Sequence, residues 1–199
     1  MIPKPQECVG CSLYGTGVGF SQLEGLGTRQ VHIVGDSLWE QEEADGLPFR
    51  PGAPAGSVLE RAIRKAGFSR TEFIIHNVIR CKPPYLDYTS TYEAERAIHH
   101  CKVHFDEVVE KHPPGCILAL GNVALKALTG LSGDDLHVSD LRGYVLPSPY
   151  GPVIPSYHPS YLRRGSTKFR DESTGAKTKG TTGPGMALLG TLIHDLQRA

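Results

Sequence analysis

Long apolar runs are missing from this chain. No stretch of its 199 residues approaches the roughly 18 to 20 consecutive apolar residues of a membrane span, and the opening MIPKPQECVGCSLYG has no apolar core of the kind a secretory signal carries. A membrane partner is therefore not expected, and the chain is expected to work inside the cell, cytoplasmic, nuclear or nucleoid-associated. Net charge is missing too: 21 Lys and Arg balance 21 Asp and Glu. A nucleic-acid partner would have to be held by a local basic face. There is no internal repeat, and the length favours a single domain over 1–199, expected to act as a monomer. Cysteine is scarce, at five residues. In a reducing compartment that number argues against a disulfide framework and leaves metal ligation, catalysis or burial.

What is present alternates between two periods. VHIVG (31–35), EFIIHNVI (72–79), GCILALG (115–121), LRGYVLP (141–147) and PVIPSYHP (152–159) read as strands by length and β-branching. SVLERAIRKAG (57–67), the segment 90–112, NVALKALTG (122–130) and GMALLGTLIHDLQRA (185–199) have helical spacing. Strands alternating with helices predict an α/β fold, a three-layer α/β/α sandwich around a mostly parallel sheet. Ligands in such sheets bind beyond the carboxyl ends of the strands. GDSLWEQ, NVIRC and HPSYLRR lie there. The Gly/Thr-rich basic segment 165–185 is expected to be a mobile loop.

Cys8 and Cys11 form a C-x-x-C pair, Cys81 follows a strand, and Cys101 lies within the longest helix. Four thiolates complete a tetrahedral set, and both zinc and a cubane iron–sulfur cluster accept one. Spacing does not choose between them, and buried free thiols would account for the same residues. Cys116, opening an apolar strand, reads as a core residue.

Taken in order, CVGCSL, VGDSLWEQEEADGLPF, NVIRCKPP, CKVHF, LALGNVALKAL, LRG and YHPSYLRR resemble the iron–sulfur uracil-DNA glycosylases of the family 4 type, within the uracil-DNA glycosylase superfamily. The resemblance runs from Cys8 to the last helix. It implies that Cys8, Cys11, Cys81 and Cys101 hold a [4Fe–4S] cluster acting as a structural staple. It implies excision of uracil from single- or double-stranded DNA by base flipping and hydrolysis of the N-glycosidic bond. An enzyme of this kind extrudes the nucleotide into a pocket and reads its exposed edge.

Residue by residue, the resemblance implies that Phe49 stacks on the flipped base, and that Asn77 pairs with the uracil edge through an amide that both donates and accepts. Gly35 and Ser37 join them as substrate-binding residues. His158 is implied as the donor to the pyrimidine oxygen, and Asp36 as the carboxylate that handles the attacking water and the sugar cation. Tyr161 and Leu162 would fill the gap left by the flipped nucleotide, Arg163 and Arg164 would meet phosphates, and Ser160 is implied as a DNA-binding residue beside them. Lys168, Arg170, Lys177 and Lys179 are basic residues that could extend that face, or simply a solvated loop. Without the resemblance, Phe49 reads as a core aromatic, Asn77 as a strand-end asparagine bonding its own backbone, and Asp36 as a loop aspartate capping a turn.

The chain also departs from the family pattern. Where the family has Gly-Glu-Ala-Pro-Gly, this sequence has Gly35-Asp36-Ser37-Leu38-Trp39, a shorter acid and an indole. No basic, histidine-containing insertion follows Pro84, so covalent trapping of uracil is not expected. Two functions follow: a monofunctional uracil-DNA glycosylase, or a catalytically weak or inactive DNA-binding accessory on the same scaffold. An iron–sulfur redox carrier is a third, supported by the cysteines alone.

Overall fold

The computed structural model describes residues 3–85, 88, 92–131, 137–161 and 184–199. Four strands form one sheet in the order β2-β1-β3-β4: β1 Val31–Gly35, β2 Ile74–Asn77, β3 Cys116–Leu120 and β4 Val153–Ser156. Every pairing is parallel, with Gly35 beside Asn77, Val34 beside Ala119 and Leu120 beside Ser156. Near-continuous burial along β1, β2 and β4 is what a parallel sheet covered on both faces requires.

The helices are α1 Pro54–Lys65, α2 Tyr92–Lys111, α3 Asn122–Thr129, the single turn α4 Val138–Leu141 and α5 Pro184–Arg198. Alternating strand residues divide the core in two. Val31, Ile33, Ile75, Leu118, Leu120 and Ile154 face Leu59, Ala62 and Ile63 of α1 and Leu192 and Leu196 of α5. Val34, Ile117, Ala119 and Val153 face Ala97 and Phe105 of α2 and Leu125 and Leu128 of α3. This is the expected three-layer sandwich. Among the described residues no helix is long and apolar enough to cross a membrane.

One expected strand is absent. Residues 141–147 begin at the end of α4, and only Leu146 pairs, in a single antiparallel bridge to Val153. Gly143, at φ 91°, turns the chain away, and Arg142 is committed to a buried carboxylate, Asp195. A regular strand would break that contact. The expected loop over 165–185 lies, apart from its last two residues, outside the described residues.

From β1 the chain proceeds to β2 on one side, and from β3 to β4 on the other. The switch in direction therefore falls between β1 and β3, where parallel α/β sheets open a crevice at the strands' carboxyl ends.

Candidate active site and four-cysteine centre

Four chain segments meet at that crevice. Gly35 ends β1 and Asp36 follows it; their carbonyls accept N–H bonds from Val78 and Ile79, at 3.0 and 2.8 Å, which lock the ends of β1 and β2 together. Asn77 ends β2. His158 follows β4 and packs on Gly121 after β3, where an added Cβ would lie 3.1 Å from the His158 Cβ. Phe49 arrives from the long loop between β1 and α1.

Gly35 is needed for this convergence. A Cβ there would lie 2.4 Å from the Phe49 ring and 2.6 Å from Asn77 Oδ1. The bare backbone lets an aromatic ring and an amide close on the same point. The Phe49 and His158 rings stand 5.5 Å apart at a 42° tilt.

Asn77 is 1% exposed, yet among the described residues neither its Nδ2 nor its Oδ1 has a hydrogen-bond partner. Burying an unpaired amide costs a few kcal/mol, and folded proteins seldom leave one so. Here Oδ1 sits beside the point framed by Gly35 and Phe49.

His158 is oriented from behind. Its Nδ1 receives the Ser160 backbone N–H at 3.3 Å and lies 2.7 Å from Ser160 Oγ. An accepting Nδ1 leaves the ring proton on Nε2, which stands 3.7 Å from Asp36 Oδ1. The same Asp36 oxygen accepts the Ser37 N–H at 2.7 Å. Both side chains remain partly open to solvent. Before His158, the Tyr157 ring lies against the Arg142 guanidinium at 4.9 Å and stacks on Tyr161 at 5.4 Å. Tyr161 is half exposed. Leu162, Arg163 and Arg164, with the basic residues at 168, 170, 177 and 179, lie outside the described residues.

Several residues that shape this site carry no local sequence signal. Glu42 is a buried carboxylate whose oxygens accept the N–H groups of Trp39 at 2.9 Å and Arg50 at 3.2 Å. Burial raises its pKa, the two N–H bonds oppose the shift, and the nearby Asp36 charge adds to it. Trp39 is partly exposed at the start of this turn. Asp195, buried on α5, binds Arg142 through both oxygens at 3.1 Å and accepts the Ser156 hydroxyl at 2.7 Å.

A second centre lies on the α2 side. Cys8, Cys11, Cys81 and Cys101 line one small cavity together with Lys4, Arg80 and His104, and all four are free thiols. Sulfur-directed donors surround them: Leu13 N–H reaches Cys11 Sγ and Arg80 N–H reaches Cys101 Sγ, each at 3.4 Å, and His104 Nε2 lies 3.3 Å from Cys8 Sγ. A Cβ on Gly17 would come within 2.8 Å of Cys81 Sγ, so glycine leaves that sulfur its room. Burial pushes the Cys81 thiol up to about 12, against the pull of Lys4, and the Cys101 thiol up to about 11, against the Arg80 N–H bond and charge. Cys116 stands apart, donating to Ala199 O at 3.1 Å. No three His, Cys, Asp or Glu side chains among the described residues converge on a single-ion site.

The N-terminal segment joins the two centres. Val18 bridges Lys82, Ser21 N–H bonds Arg80 O, Gln22 N–H bonds Gly46 O at 2.9 Å, and Glu24 bridges Ile75. The Lys82 ammonium meets Glu43 of the Trp39–Gly46 turn at 2.6 Å.

The sequence has relatives among known proteins. The model of the uracil DNA glycosylase superfamily matches residues 25–177. The chain is 31% identical over 162 residues to a type-4 uracil-DNA glycosylase of Thermotoga maritima, covering 81% of this chain and 80% of that one. It is 28% identical to the type-4 enzyme of Sulfurisphaera tokodaii, covering 77% and 70%, and 25% identical to that of Saccharolobus solfataricus, covering 78% and 72%.

Proposed function

Because the chain belongs to the uracil DNA glycosylase superfamily, we propose that it is a DNA-repair glycosylase that releases uracil from DNA by hydrolysing the N-glycosidic bond and leaving an abasic site. The observation that carries this reading into the cleft is Asn77. Its amide has a buried donor and a buried acceptor, both unpaired. A flipped uracil offers an N–H donor and a carbonyl acceptor side by side, which would satisfy both.

The remaining roles follow from the bond that breaks. The electron pair of the glycosidic bond leaves with uracil, so negative charge grows on the base and positive charge on the sugar. His158, its proton held on Nε2 by the bonds at Nδ1, donates to the base oxygen as that charge develops. Asp36 lies on the same side of the cleft. Its carboxylate orients a water toward C1′, takes the proton that water loses as its oxygen bonds to carbon, and stabilises the sugar cation meanwhile. Phe49 stacks on the base, with Gly35 giving it room and the Ser37 N–H steadying Asp36. Ser160 orients His158, and Tyr161, Leu162, Arg163 and Arg164 are the residues assigned to the DNA strand.

The donor set of the second centre fits a [4Fe–4S] cluster held by Cys8, Cys11, Cys81 and Cys101. A single zinc ion needs its ligands about 2.3 Å from one point, and these thiols do not so converge. A cubane takes one thiolate at each of four separated irons. The nearby Lys4 charge at Cys81, and the Arg80 N–H bond and charge at Cys101, oppose the burial that raises these two thiols, and metal ligation would complete what they begin by displacing the proton. When bound, such a cluster supplies cross-linking and no step of base excision. The protein acts on DNA as a monomer inside the cell.

The test is direct. The purified protein is incubated with a labelled oligonucleotide carrying one uracil, then treated with alkali to cut abasic sites. Cleavage at the uracil position is expected; binding without cleavage would leave the DNA-binding accessory in its place.

A further inference from the structure

Phe49 is one of two residues other than glycine with a left-handed backbone among those described, at φ 49°. A bulky side chain is disfavoured there, and such a conformation persists only where its surroundings over-determine it.

We infer that Arg70, outside the pocket, is a positioning residue: its guanidinium grips the carbonyls of Pro48 and Phe49 and thereby aims the Phe49 ring at the base. This rests on the reading of Phe49 as the stacking ring. Arg70 Nη2 donates to Pro48 O and Phe49 O, each at 2.8 Å. The group is buried, and its charge is met by both carboxylate oxygens of Glu24.

Each end of that contact is fixed in turn. Glu24 is bridged to Ile75 on β2. Arg70 opens a 3-10 turn, Arg70–Glu72, closed by a reciprocal cap between Ser69 and Glu72. On the far side of Phe49, Glu42 holds the Arg50 N–H. A Cβ on Gly56 would lie 2.3 Å from Phe49 O, so the first turn of α1 presses on the same peptide. The backbone of residues 48–50 is thus clamped from three directions, and the ring is left facing the cleft. Arginine suits this role because one planar fork reaches two carbonyls and a carboxylate together, which a lysine ammonium cannot do in one plane.

The experiment is a double-mutant cycle on uracil excision under single-turnover conditions, well below the melting temperature, with a second readout on the ring itself. Arg70→Met is expected to slow excision about tenfold, Arg70→Lys to recover part of that, and neither to cost anything further in a Phe49→Ala background. In protein labelled with fluorophenylalanine, the ¹⁹F resonance of Phe49, identified by its loss in Phe49→Ala, is expected to shift in Arg70→Lys, while that of Phe105 on the opposite sheet face stays. If Arg70→Met fails to fold, Arg70→Lys, which keeps the charge facing Glu24, carries both measurements. Equal losses in the two backgrounds, or an unmoved Phe49 resonance, would overturn the inference. If Phe49→Ala leaves excision intact, the stacking role has failed instead, and the ¹⁹F shift alone decides whether Arg70 sets the ring.

Discussion

His158 Nε2 faces Asp36 Oδ1 across 3.7 Å, a gap longer than a hydrogen bond. The two groups share one side of the cleft without being tied to each other. Each keeps a free valence: the imidazole its proton, the carboxylate its second oxygen.

His158→Ala should therefore reduce single-turnover excision by about 10² to 10³, the usual worth of one donor at a developing oxyanion. Affinity for uracil-containing DNA should stay near that of the unaltered protein, because the contacts made before bond breakage remain. A loss of binding equal to the loss of rate would assign His158 to DNA contact instead.

Asn77→Asp should disfavour uracil, since an ionised carboxylate has lost the donor half of the amide. The check is competition between oligonucleotides carrying uracil and other deaminated bases. An unchanged preference would mean that Asn77 does not read the edge.

Protein purified without oxygen should be brown, with iron and acid-labile sulfide in equal amounts. Cys81→Ser and Cys101→Ser should each lose most of that iron. Cys116→Ser, whose thiol donates to Ala199 O away from the other four, should keep it. Colourless protein with one zinc ion per chain would refute the cluster.

Acid should unfold the protein through its buried histidines. His32 Nδ1 and His76 Nε2 lie 3.1 Å apart in the core. Burial lowers His32 from 6.5 to about 4, opposed by the hydrogen bond its ring donates to the His112 backbone and helped by the His112 charge. Burial, with the charges of His32, Arg80 and His112, puts His76 well below its usual value. Both rings bind protons more readily unfolded, so stability should be full above pH 6.5 and fall between there and pH 4. His32 alone accounts for roughly 3 kcal/mol at most. Urea midpoints measured across that range should drop less steeply in His32→Gln, and parallel curves would exclude the ring.

The sheet was legible because burial on both faces writes itself as contiguous apolar runs. VHIVG has the same bounds in sequence and structure. Residues 141–147 misled for a physical reason: their apolar side chains imitate a strand, while Arg142 answers to Asp195, 53 positions away. Glu24, Glu42, Arg70 and His104 escaped notice likewise. A buried charge or ring is intelligible only through its partner, and Arg70 finds Glu24 at a separation of 46 residues. Asn77 was visible as a residue type, but that both ends of its amide are unpaired is a property of the packed cleft.

The strap formed by residues 18–24 bears on the order in which the molecule is completed. Cys8 and Cys11 leave the ribosome 70 residues or more ahead of Cys81, and Cys101 follows later still. The strap's partners Ile75, Arg80 and Lys82 do not exist when it is first made. Closing so long a loop is slow, because its entropy is lost before any contact repays it. The N-terminal segment can therefore be fastened only after β2 and the loop carrying Cys81 have been made, and the four thiols are complete only once α2 supplies Cys101. A cluster held by those thiols would tie the strap to the loop after β2 and to α2 at once, so its removal should loosen residues 18–24 before it disturbs the sheet.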